Sequence, residues 1–468
     1  MGGLRSGGVF GAAALAFALA GCHTGEKGPA SFAYGAAEDA SAVRIGHSAI
    51  EGGGSAADAM VAMALTSAIT LPSRVGVGGG GLCLVHDPAT KQTRTLDFLP
   101  QAGSGGAPEP AFLRGIYALQ AAYGHRRWEL ALGRAESLAA LGVPVSSALA
   151  ADLRTESERL AADPGARKIF FSAGRQVLGE GETLIQSDLA ATLRIARERG
   201  VGALYSTQVT GSIAAAVAQN LGISAAALAG YQAEWRGTVD VEVGHNVLHI
   251  ADRRNGGDGG LVSAWNAAVP DGDNKEGWLG ALLGALGPGA GTAAPATGML
   301  AIDASEQAVA CIFTMGRLFG QGKVAGDTGI VLGVGGGTGV AGPALVINHP
   351  QNTVLFAGTG VANASTEGGR SGEAALLSAL HASAVEFLPG PQVLAQPRAV
   401  PAPGGGVLAE PGVSPAQLGP LAGAVRPATK LGQVEALACV YDRYTGFKSC
   451  EVSADPRGPG VHFTLIGK

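Results

Sequence analysis

The segment from Ser55 to Phe98 sets the tightest limit on the fold. Ser55 and Asp58 can cap a helix whose apolar residues recur at helical spacing through "AADAMVAMALTSAIT", and Pro72 stops it. A glycine run from Gly76 to Gly81 then feeds a strand, "LCLVHD". After a turn at "DPATKQ" a second strand follows, Thr93 to Pro100. The order is helix, glycine loop, strand. A phosphate loop needs the reverse, because the anion rests on the free amides of the helix that follows the loop. A second glycine run, Gly333 to Gly339, follows a strand but leads to no helix and lacks a Gly-Lys-Ser/Thr ending. Nucleotide binding is excluded on both counts.

The rest of the chain interleaves strands and helices without a regular βαβ rhythm and without an internal repeat. Helices are expected over much of 111–162, from Leu184 to Gly200, around Glu276 to Leu286, and from Ser371 to Phe387. A hairpin is expected over Thr238 to Ala251. Further strands are expected at "GMLAID", "AVACIFTM", "GIVLGV", "PALVIN" and "TVLFAG". Pro389 to Pro420 reads as a Pro/Gly-rich surface segment. With 76 glycines and 5% aromatics, small residues must do most of the packing. The net charge of −5 offers no basic face, so nucleic acid is not an expected partner.

The N-terminus carries different information. Arg5 precedes an apolar run, Val9 to Gly21, that ends at Cys22. Residues 1–21 read as a secretory signal peptide. "LAGC" resembles the bacterial lipobox, in which the cysteine is lipidated and becomes the mature N-terminus. On that reading Cys22 anchors the protein to a membrane of the cell envelope, the outer membrane being favoured, and residues 22–41 form a tether. The alternative is an ordinary signal peptide with an incidental cysteine. Cys439 and Cys450 flank a hairpin with its turn at Thr445-Gly446, where they could bridge. Cys83 and Cys311 lie inside apolar runs and read as buried thiols. His245 and His249 share one face of a strand but have no carboxylate or cysteine companion nearby, so they read as core or surface residues. No metal and no cofactor is expected.

Between Ala49 and Phe98, "GGGSAADAMVA", "RVGVGGGGL" and "LDFLPQAG" resemble the helix, glycine loop and strand that open the gamma-glutamyltransferases. The resemblance continues at Ala162 to Phe171, Gly181 to Gly200, Ala229 to Val239, Asp303 to Leu332 and Ala454 to Phe463. It implies an α+β fold, the αββα four-layer sandwich of N-terminal-nucleophile hydrolases. Residues 42–295 would correspond to the large subunit and 296–468 to the small one, together forming one composite domain.

In that family the proenzyme cuts itself before a threonine. The freed amine then acts as base while the hydroxyl attacks a γ-glutamyl amide. Counted back from Asp303, the attacking position is Ala296, and Thr297 falls on the family's second threonine. Thr314 stands where the family has the threonine that assists the nucleophile. The arginine that binds the substrate carboxylate falls on Leu99, followed by Pro100. The oxyanion segment corresponds to Ala357 to Asn363, without its Gly-Gly pair, and another loop to Ala251 to Gly260. These readings lead to a non-catalytic envelope lipoprotein with a binding or scaffold role. The alternative is an active self-cleaving amidase using Thr297.

Overall fold

The computed structural model describes residues 2, 32–100, 108–206, 213–254, 256–269, 276–288, 294–335, 341–362, 369–441 and 448–466. The signal-peptide residues 3–21, the lipidation candidate Cys22 and the turn at Thr445-Gly446 lie outside the described residues.

In chain order the first half supplies strands β1 (Phe32–Ala37), β2 (Gly80–Asp87), β3 (Gln92–Phe98), the two-residue β4 (Val143–Pro144) and β5 (Thr183–Leu184), β6 (Glu234–Arg236), β7 (Thr238–Val243) and β8 (Asn246–Ala251). The second half supplies β9 (Ala296–Ile302), β10 (Ala308–Thr314), β11 (Ala344–Asn348), β12 (Thr353–Val361), the short β13 (Ala399–Pro401), β14 (Val407–Ala409) and β15 (Val425–Pro427), then β16 (Gln433–Tyr441), β17 (Lys448–Ser453) and β18 (Val461–Ile466). One sheet has the order β18-β1-β9-β10-β2-β3-β6, and a second has β17-β16-β12-β11-β8-β7. The first sheet thus draws strands from both sides of residue 296.

Side-chain alternation divides the interior into three cores. On β9 and β10, Leu300, Ile302, Ala310 and Ile312 join Leu345, Ile347, Ala357 and Leu437 of the second sheet in a core between the sheets. Their alternates Met299, Ala301, Val309 and Phe313 face helices α1 (Ala40–Glu51) and α2 (Ala56–Thr70). The opposite face of the second sheet packs on the helices Ser371–Ala384 and Trp278–Leu286. This is the αββα sandwich. Because β9 and β10 are covered on both faces, they read as unbroken apolar runs with no polar alternation.

Helix α2 occupies a wholly interior position, with 14 of its 15 residues buried. Only a run rich in alanine could pack so close on every side. Ser55 and Asp58 form the expected capping box. The helix start also docks on the β9–β10 turn. Asp303 Oδ2 accepts from Ala56 N at 2.9 Å, and Gln307 Oε1 accepts from Ala57 N at 3.0 Å.

Several expectations are corrected. The tether does not extend to residue 41: Phe32 to Ala37 is a central strand between β9 and β18, and α1 begins at Ala40. Cys83 and Cys311 are not thiols but a disulfide, since antiparallel pairing of β2 with β10 sets them directly opposite. Cys439 and Cys450, opposite each other on β16 and β17, are also joined. "GIVLGV" is not a strand. Val331 and Leu332 make only isolated bridges, to Val324 and to Gly78 of the glycine loop. That loop is glycine-rich for contact: a Cβ on Gly78 would lie 2.0 Å from Val331 O, and one on Gly80 2.0 Å from Phe98 O. Pro389 to Pro420 is not merely surface. It buries Val393, Leu394, Val400 and Val407 in the third core, and Arg398 ion-pairs with Asp455 at 2.5 Å beneath it. His245 lies in the turn between β7 and β8, not on a strand face with His249.

Candidate functional site

The start of β9 positions both residues of interest. Ala296 pairs with Thr314 and Thr297 with Phe313 across the β9–β10 ladder. The Thr314 hydroxyl donates to the carbonyl of Pro295 at 2.7 Å and accepts from Gly316 N at 2.9 Å. Thr314 therefore holds the carbonyl of the peptide bond that precedes residue 296. Ala296 presents only a methyl group, buried between the sheets. Thr297 is 1% exposed, and its hydroxyl, beside the Glu38 carboxyl, makes no hydrogen bond of good geometry.

Thr297 borders a narrow gap between the two sheets, with Glu38 after β1, Gly298 on β9, Thr359 on β12, and Gln433 and Glu435 on β16. The gap has no room for a water molecule. Gly298 is what lets it close so far: a Cβ there would stand 2.1 Å from Thr359 Oγ1. Four polar atoms facing this region, on Glu38, Thr297, Thr359 and Glu435, have no hydrogen-bond partner. A buried polar group left in that state costs roughly 1–3 kcal/mol.

Two carboxyl groups set the electrostatics. Burial pushes the Glu38 carboxyl up, and the Asp152 charge adds to this. Arg74, paired at 2.6 Å, opposes it, and the Thr297 hydroxyl stands close enough to do the same. Arg74 also bonds Asp152 at 3.0 Å, and Ser73 Oγ donates to Asp152 at 2.7 Å, so Glu38 belongs to a buried ionic cluster. Glu435 is raised much further, first by burial and then by the charges of Asp455 and Glu38. It has no cation of its own in the gap, so burial favours its neutral form.

The groups expected to bind substrate are dispersed. Leu99 is buried in the core between the sheets. The segment after β8 crosses to β3, where Asp252 N bonds Thr95 Oγ1 at 3.1 Å and Arg254 N bonds Asp97 Oδ2 at 2.6 Å. It brings Arg254 to this end of the sandwich, but Arg254 pairs with Glu234 at 3.2 Å. Arg370 similarly pairs with Glu373 at 3.2 Å and donates to Gly259 O at 2.6 Å. Of the oxyanion counterpart, Ala357 to Val361 are an ordinary part of β12 paired with β16, and Asn363 lies outside the described residues.

Sequence reasoning missed Glu38, Thr359 and Glu435. Glu38 was hidden inside the presumed tether. Glu435 had a usable signal, as the one charge in the apolar run "VEALACV". Thr359 had none.

The family profile described as Gamma-glutamyltranspeptidase matches residues 42–109 and 100–258. The glutathione hydrolase proenzyme of Bacillus subtilis subsp. natto is 31% identical over 188 residues, covering 35% of this chain and 32% of that protein. The glutathione hydrolase proenzyme of Escherichia coli (strain K12) is 30% identical over 249 residues, covering 47% of this chain and 42% of that protein. The match thus spans 32% to 42% of the length of these relatives. The crystal structure of cephalosporin acylase from Bacillus halodurans superposes with a TM-score of 0.74 at 17% identity, over 93% of this chain and 96% of that one. At that identity the likeness is one of fold.

Proposed function

This chain belongs to the gamma-glutamyltranspeptidase family, and from that premise we propose that it is a non-catalytic member, a binding or scaffold protein held in the bacterial cell envelope by a lipid on Cys22. The observation that carries the first part is the pair Ala296 and Thr314. The Thr314 hydroxyl rests on the Pro295 carbonyl, the group that a nucleophile at residue 296 would attack, and residue 296 offers a methyl. Loss of one oxyanion donor costs an acyl-transfer site roughly 3–4 kcal/mol. A substrate carboxylate with no cation adds several more. Leu99 in place of that cation, and a gap too narrow for water beside Thr297, both weigh against turnover.

The envelope part rests on the apolar run ending at Cys22 and on the two disulfides, which fit an oxidising compartment. Among the described residues no helix is long and apolar enough to cross a membrane. A lipid chain is the form of attachment this reading requires.

One observation favours a second reading. The Thr297 hydroxyl is unbonded and lies beside Glu38, so a self-cleaving amidase using Thr297 has a hydroxyl to use. A denaturing gel of the purified protein separates the two. A single intact chain that leaves a γ-glutamyl anilide unhydrolysed supports the first. Two fragments meeting at Ala296–Thr297, lost in Thr297→Ala, overturn it. Mass analysis of the N-terminal peptide tests the anchor, which an unmodified Cys22 would remove.

A further inference from the structure

Away from β9, the second sheet brings two imidazoles together at its β7–β8 edge. His249 on β8 stands opposite Asp240 on β7. Its Nδ1 lies 2.8 Å from Asp240 Oδ1, and its Nε2 lies 2.9 Å from Nε2 of His349 in the β11–β12 turn. The carboxylate can only accept, so Nδ1 of His249 carries the hydrogen. In the neutral ring this leaves Nε2 with its lone pair aimed at His349. A carboxylate that fixes one ring nitrogen so that the other can donate electrons is the support characteristically given to a metal-binding histidine. The sequence conceals it because Asp240 is nine residues upstream and becomes a neighbour only through the hairpin.

We infer that His249 and His349 form a two-imidazole binding site for a divalent transition-metal ion of the zinc type, with Asp240 orienting His249. Both Nε2 atoms must donate, which requires His349 to carry its hydrogen on Nδ1 instead. Zinc–nitrogen bonds of about 2.0–2.1 Å at a tetrahedral angle place the two nitrogens roughly 3.4 Å apart, so the pair needs to open by about half an ångström. His349 can supply that movement, because it lies in a turn and is only partly buried.

His249 is buried and His349 partly exposed, and the cleft reaches the pair from the His349 side. Both imidazoles and Asp240 line a surface cleft with Arg94 and Trp235. Arg94 is held over the Trp235 ring at 4.9 Å, and Arg236 pairs with Asp252 at 2.9 Å. Asp240 is thus the carboxylate at the imidazoles. A third histidine, His86, is nearby, but its nitrogens are engaged by Thr93 Oγ1 at 3.1 Å and Asn352 Oδ1 at 3.3 Å. Among the described residues no three His, Cys, Asp or Glu side chains are set to hold a metal together. The remaining coordination positions therefore fall to water or to a ligand entering the cleft, the open arrangement of a zinc that binds exogenous groups.

Calorimetric titration of the EDTA-stripped protein with zinc chloride tests this. Wild type should bind a single equivalent. His349→Ala and His249→Ala should each weaken binding by at least about tenfold, and Asp240→Asn by about tenfold through the lost support. His245→Ala, changed in the hairpin turn, should bind as wild type does. Since His349 sits in a turn, His349→Ala should keep the wild-type melting temperature without zinc. Wild type that takes up no zinc at about 1 mM, an affinity on the order of the weakest specific binding, overturns the inference. So does a folded His349→Ala that binds zinc as tightly as wild type.

Discussion

The hydroxyl of Thr314 donates to the carbonyl of Pro295 across the first rung of the β9–β10 ladder. It fixes which peptide bond the fold presents at the head of β9, and the residue after that bond is Ala296. Thr297 is one place along, beside Glu38 at the gap, with a hydroxyl that has no hydrogen bond of good geometry.

That unbonded hydroxyl gives a prediction that separates a vestige from a nucleophile. Thr297→Val keeps the shape of the side chain and removes the unsatisfied group. It should stabilise the protein by about 1 kcal/mol, seen as a higher urea midpoint. A loss of stability, or a γ-glutamyl hydrolysis in wild type that disappears in the variant, contradicts the vestigial reading.

The buried Glu435 makes stability depend on pH. Its folded-state pKa is raised well above the ordinary 4.5. Above pH 4.5 the native state therefore binds the proton that the unfolded chain has released, and stability falls as pH rises, by up to about 1.4 kcal/mol per unit while the proton is held. Glu435→Gln removes this term. The variant should gain on wild type as pH rises above 4.5 in chemical denaturation, and a constant gap between them would refute the assignment.

Gly298 and Thr359 should be coupled. A methyl group at 298 meets Thr359 Oγ1 at 2.1 Å. Gly298→Ala should therefore cost about 1–3 kcal/mol by overpacking. Thr359→Ala in the same chain should recover much of that loss. Additive effects in the double variant would show that the sheets do not meet there.

The two disulfides should differ in how readily they are reduced. Cys83 and Cys311 are fully buried, whereas Cys450 is partly exposed at the sheet edge. Thiol labelling under mild reductant should find Cys439 and Cys450 first. Cys83–Cys311 spans 228 residues against 11 for the other pair. Its removal by paired alanine substitution should be the more destabilising, by roughly 2–5 kcal/mol.

The residues that disclosed the fold were those with a local rule behind them. Ser55, Asp58 and Pro72 mark α2 because caps and stops act within a few residues. β9 and β10 are legible as apolar runs, and order along the chain placed them in the family. Pairing over long separations was not legible. Cys83 and Cys311 meet only through the β2–β10 register, and Leu332 reaches Gly78 of the glycine loop only through a long-range bridge. The site divides in the same way. Ala296, Thr297 and Thr314 could be found by counting along one hairpin. Glu38, Thr359 and Glu435 come from three other strands or strand ends, and no spacing in the sequence relates them.

β1 precedes the other described strands, yet its two neighbours, β9 and β18, lie hundreds of residues further along the chain, on the order of 260 and 430. A growing polypeptide therefore leaves the ribosome with a central strand that has nothing to pair with. The first sheet closes only after β18 has been made. A truncation just before Val461 would leave one side of β1 permanently unpaired, an open edge inviting a second molecule to add its own strand. Translation order makes β18 the latch of the first sheet.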